Sequence, residues 1–193
     1  MTDAAKTKSN AAPYLRAAAE FHRGAYGDSA DSRKFLEQAA SAGDARARLL
    51  LGRHYLTSNP SMASSYFRNA AENRCATAAT ELARFYMGNG TEYDFAQKLL
   101  RMSANKGDVD AQMLLGQLLA TAGREDGHKI EAAFWLELSL RNAIALNDKQ
   151  REANVRQTLR SLGNSLDEKT VRRAQTFLDQ TPSTVVSAPP SRR

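Results

Sequence analysis

The chain has 193 residues, 27 lysines and arginines against 21 aspartates and glutamates, a formal net charge of +6, a pI near 9.6 and one cysteine, Cys75. That length supports one domain with a real core, the lone thiol excludes an internal disulfide, and the basicity favours acidic partners only through long-range attraction. No segment approaches the roughly 20 apolar residues of a membrane span, and the opening MTDAAKTKSNAAPYLRAAAEF lacks a signal-like apolar stretch, so a cytoplasmic location is expected.

Residues 1–10 carry no periodic apolar pattern and are expected to be disordered. PYLRAAAEFHRG (Pro13–Gly24) and FLEQAASAG (Phe35–Gly43) then read as two amphipathic helices. A phrase follows that is written three times: LLLGRHYLTSN from Leu49, TELARFYMGNG from Thr80 and MLLGQLLATAG from Met113. Aligned on Leu51-Gly52, Leu82-Ala83 and Leu115-Gly116, it recurs at intervals of 31 and 33 residues. Ala47, Ala78 and Ala111 sit four places earlier, and Tyr55, Tyr86 and Leu119 four places later, so each copy lays one stripe along a helix.

Each copy is followed by a second stripe. Ala63, Ala96 and Ala132 precede Tyr66-Phe67, Leu99-Leu100 and Trp135-Leu136 by three residues, and Ala70-Ala71, Ser103-Ala104 and Ser139-Leu140 come next. Asn59-Pro60, Gly88-Asn89-Gly90 and Gly123 to Gly127 break the chain within units, while Gly43-Asp44 and Gly107-Asp108 separate units. One such helix pair cannot bury its own stripes, so it stacks on its neighbours. The expected fold is all-α: a right-handed α-solenoid of about four helix-turn-helix repeats over residues 11–146, closed by a capping helix pair over 147–180.

The pattern A-x-x-x-L-G-x-x-Y, then A-x-x-W/L, then A-A-x-x-G-D resembles the Sel1-like repeat (SLR), a relative of the tetratricopeptide repeat. ANKGDVDAQMLLGQLL, across Gly107, is its most specific stretch. The first unit departs by having Ala17-Ala18 in place of Leu-Gly, and the second by ending in Asn73-Arg74 and turning on the short TSNPSM. The resemblance implies a protein–protein scaffold or adaptor, often bacterial, acting alone or within a larger assembly.

Beyond the repeats, Asn147 or Asp148 is a candidate helix cap, Val155, Leu159 and Leu162 form a stripe, and Gly163 is a stop. Ser165 and Glu168 have capping-box spacing ahead of Val171, Ala174, Phe177 and Leu178, and Pro182 ends that helix. The Pro- and Ser-rich residues 181–193 are expected to be disordered.

Residues suited to chemistry do not cluster. His22, His54 and His128 fall in different units without metal-ligand spacing, and His54 with Cys75 has no third group to make a nucleophilic site. Gly88-Asn89-Gly90 lacks the preceding strand of a phosphate loop, and Asp167-Glu168 suits a helix start. No enzymatic activity, cofactor or metal is expected.

The resemblance further implies that the first helix of each unit lines a concave groove. Its inward positions in this chain are Arg23, Arg46, Leu49, Arg53, Leu56, Arg84, Met87, Met113 and Gln117, with Asp110 at the far end. Arg53, Arg84 and Gln117 occupy equivalent places, and arginine grips carboxylates in a fork. The implied ligand is an acidic, partly apolar peptide or helix. Single-stranded RNA along the basic surface is the alternative, but the groove has no series of stacking aromatics.

Overall fold

The computed structural model describes residues 30–90, 92–122 and 126–163, with residues 172 and 176 besides. They form α1 (Ala30–Ser41), α2 (Ala45–Tyr55), α3 (Pro60–Glu72), α4 (Ala76–Gly88), α5 (Tyr93–Asn105), α6 (Val109–Ala122), α7 (Asp126–Ala145) and α8 (Lys149–Gly163). No strand occurs among the described residues; α1, α2 and α3 pack in succession, and so do α5, α6, α7 and α8. Helix α7 already begins at Asp126, so Gly127, expected in a break, is helical. The expected first helix (Pro13–Gly24) lies outside the described residues, as does the expected last helix (from Ser165) except for Arg172 and Thr176, both helical.

The same device ends four helices. After α1, Gly43 (φ 96°) donates its N–H to Ala40 O at 3.1 Å and Asp44 donates to Ala39 O at 3.0 Å. This paired arrangement needs a residue in the left-handed region, where glycine has no Cβ penalty. Gly107 (φ 85°) does likewise after α5. Asn147 (φ 54°) takes the place of glycine after α7, and Arg74 (φ 63°) takes it after α3. The aspartate that follows turns the stop into a start. Asp44 accepts from the N–H groups of Arg46 and Ala47, Asp108 from Ala111, and Asp148 from Arg151.

The α3–α4 junction therefore keeps the geometry without its usual residues: an arginine stands in the left-handed region and Cys75 sits where the other junctions have a capping aspartate. Converting both (Arg74→Gly with Cys75→Asp) will stabilise the protein by about 1–2 kcal/mol, because the cap contributes about 1 and the relief of φ strain exceeds the added backbone entropy. Thermal melting should rise by about 2–4 °C per kcal/mol. An unchanged or lowered midpoint contradicts this reading of the junction.

The chain divides into two compact units, Met1–Phe85 and Tyr86–Arg193. In the first, α2 packs on α1 and α3. Ala47, Leu51, Ala63 and Phe67 are fully enclosed, and Gly52 lies so close to Phe67 that an added Cβ would stand 2.4 Å from its ring. Tyr55 and Tyr66 stack at 5.9 Å beside this core, and burial, aided by Tyr55 and Glu37, raises the Tyr66 phenol above its ordinary pKa.

In the second unit α6 packs on α5 and α7, and α8 packs on α7. Gly116 repeats the close approach, with the position of a Cβ 2.6 Å from Leu136 Cγ and 3.1 Å from the Ala132 carbonyl oxygen. The small residue in the Leu-Gly phrase is thus the place where two helices touch. The seam also carries polar links. Asn142 Nδ2 donates to Gln112 Oε1 at 2.9 Å, Gln112 Nε2 to Ala104 O at 3.4 Å, and Ser139 Oγ to Val109 O at 3.2 Å, all buried. Arg101 forks onto Glu131, which also accepts the Trp135 indole N–H at 3.1 Å.

Candidate binding face

The residues implied for partner binding lie on α2 and α4 in the first unit and, in the second, on the end of α4 and on α6, which has α8 beside it. Arg46 and Arg53 lie seven residues apart on α2, two turns along one face, and both are exposed. Leu56, at the end of α2, keeps 42% of its surface exposed and provides an apolar contact. Leu49 does not share that position. It is only 9% exposed, with Leu50 and Leu51 also buried. Three consecutive helical residues span about 200° of the circumference, so α2 is enclosed on more than one side and Leu49 belongs to its packing.

The arginines are not bare cations. Arg53 donates from both Nε (3.0 Å) and Nη2 (2.6 Å) to Glu81 Oε1 on α4, while Arg84 Nε stands 4.0 Å from Glu81 Oε2. Glu81 is the more enclosed of the three, with its side chain 19% exposed against 44% for Arg53 and 45% for Arg84. Two ladder arginines are thereby tied to one carboxylate. Sequence reasoning missed Glu81. Its only signal was the helical spacing from Arg84, since its link to Arg53 spans 28 residues.

In the second unit Met87, Met113 and Gln117 are half-buried. Gln117 Nε2 donates to Thr158 Oγ1 at 3.3 Å, and Arg151 Nη2 donates to Asp110 Oδ1 at 2.8 Å. Both links join residues 41 apart, so α6 and α8 lie side by side in the same direction, as the first helices of consecutive repeats must. Arg151 also binds Asp148, the cap of its own helix. On α8, Glu152 is held below its ordinary pKa by hydrogen bonds from Lys149 and Arg156. Arg23 lies outside the described residues.

His54 packs edge-on against Tyr55 at 4.9 Å, and Cys75 is half-buried at the α3–α4 junction. Among the described residues no three His, Cys, Asp or Glu side chains gather where a metal ion would sit, and no helix is long and apolar enough to cross a membrane. An open cleft of about 470 Å³ lies in the second unit, floored by Leu118 and Leu119 and flanked by Tyr93, Gln97 and His128.

No protein-family model matches the chain, and no curated protein does. Solved structures do match. A protective antigen of uropathogenic Escherichia coli displaying an SLR fold aligns with a TM-score of 0.74 and 21% identity over 91% of this chain. The chain spans 38% of that antigen's length. A Sel1 repeat protein from Oxalobacter formigenes aligns at 0.63 with 24% identity, over 92% of this chain and 75% of that one. PilF of Pseudomonas aeruginosa aligns at 0.56 with 17% identity, over 91% and 87%. The fold is therefore like that of the solved SLR and Sel1 repeat structures.

Proposed function

We propose that this chain is a non-catalytic adaptor that holds a partner protein through an acidic, partly apolar peptide or helix laid against its first-helix face. Helical-repeat solenoids generally serve protein–protein interaction through such extended surfaces, and the likeness to the SLR structures supports that class of role here. The observation that carries the finer reading is the pair of half-exposed arginines on α2 and α4, held by Glu81 beside exposed Leu56. Guanidinium forks next to an apolar contact suit a carboxylate flanked by aliphatic side chains. In the second unit Met87, Met113 and Gln117 are further candidate contacts.

The test starts with affinity purification and mass spectrometry from the native host, followed by titration of the partner against variants. Arg53→Gln with Arg84→Gln removes two positive charges beside Glu81 and should weaken capture by about tenfold or more, mainly through slower association. Arg53→Lys with Arg84→Lys keeps the charge and the ion pair but cannot fork, and should recover only part of the affinity. Capture unchanged in the glutamine variant, with its fold intact by circular dichroism, removes this face from the interaction.

A further inference from the structure

We propose that Glu81 is a specificity-determining, positioning residue: it makes the arginine face of the first unit a site for an isolated carboxylate and turns it away from polyphosphates such as nucleic acid. The carboxylate half of this rests on the function proposed above, whereas the rejection of polyanions stands on the cluster's geometry.

Glu81 engages Arg53 through Nε and one Nη2 hydrogen, on a single oxygen. A guanidinium has five N–H donors, so the Nη1–Nη2 edge remains to form a second fork. With its side chain 44% exposed, Arg53 meets solvent while held from behind by a more enclosed carboxylate. Such an edge matches one incoming carboxylate, whose two oxygens accept two parallel N–H bonds.

A nucleic-acid backbone makes a different demand. Its affinity grows with the number of phosphates neutralised, each releasing counterions, so it rewards uncompensated cations in series. Glu81, 2.6 Å from Arg53 and 4.0 Å from Arg84, sets one negative charge between the two guanidinium groups. It also repels any phosphate that approaches either arginine. The mean basicity of the chain is thus muted at the point where the face is richest in arginine.

The experiment needs no partner protein. Binding of a fluorescent oligothymidine is measured against salt for the wild type, Glu81→Gln and Glu72→Gln. Glutamine at 81 still accepts from Arg53, so the geometry persists while one negative charge disappears. Glu72 is exposed at the end of α3 and makes the same change in net charge elsewhere on the first unit. Glu81→Gln should bind the oligonucleotide about threefold or more tightly at low salt, with a log–log salt slope steeper by about 1, and Glu72→Gln should match the wild type. Equal gains in both variants, or none in Glu81→Gln while its melting curve shows it folded, overturn the proposal. If partner capture is insensitive to Arg53 and Arg84 but Glu81→Gln gains oligonucleotide binding, the adaptor reading fails while the role of Glu81 against polyanions stands.

Discussion

Valine in place of Gly116 will destabilise the protein by about 3 kcal/mol, against a change near zero or slightly favourable for Gly88→Ala. Both glycines are helical. Gly88 has nothing within 4 Å of the position of an added Cβ, so alanine there contributes only its better helix propensity, up to about 1 kcal/mol. At Gly116 a Cβ meets Leu136 Cγ at 2.6 Å and Cδ2 at 2.9 Å, and the Ala132 carbonyl oxygen at 3.1 Å. Leu136 is fully buried and the carbonyl is part of helix α7, so neither can step aside without moving a helix. Overpacking therefore outweighs propensity. Chemical denaturation of the two variants measures the difference, and a Gly116→Val protein as stable as the wild type would falsify the close-contact account of the Leu-Gly phrase.

The second large effect is expected at Asn142. Replacing it with leucine keeps the branched heavy-atom skeleton and improves helix propensity slightly, yet strands Gln112 Oε1 in a buried seam. Leaving a buried acceptor without its partner costs about 1–3 kcal/mol, more than leucine recovers. Gln112→Leu combined with Asn142→Leu removes both halves of the pair and should be clearly more stable than the single Asn142 variant, with a coupling of about 1–2 kcal/mol in a double-mutant cycle. Additive losses in that cycle show that the two amides act independently.

The stripes that were legible in the residue order are those that a helix writes locally. Ala47, Ala78 and Ala111, with Leu51, Leu82 and Leu115, are all enclosed, as their one-turn spacing predicted. Breaks carried by local chemistry were equally readable. Asn59 accepts from the Met62 N–H ahead of Pro60, and Gly43, Gly107 and Asp148 lie at junctions where they were expected. Arg74 is the instructive exception. Nothing in its type marks it for the left-handed region, and it adopts φ 63° because the stacked helices on either side require the same joint as at Gly43 and Gly107.

Properties of the candidate face were harder to read because they depend on partners distant in sequence. A periodicity argument places Arg53 and Arg84 on equivalent turns but cannot see Glu81 reaching between them. It likewise counts Leu49 as a groove position, because it knows one packing face of α2 where the fold closes more than one.

The residue order by itself determined helix-hairpin units of about 31 to 36 residues and the small residues at their contacts, since helix periodicity and turn chemistry act within a few residues. Only the tertiary structure decided which charges face solvent bare and which are compensated. The links that settle it, Arg53 to Glu81, Gln112 to Asn142 and Asp110 to Arg151, join residues 28, 30 and 41 apart, and stacking alone brings those distances down to a hydrogen bond.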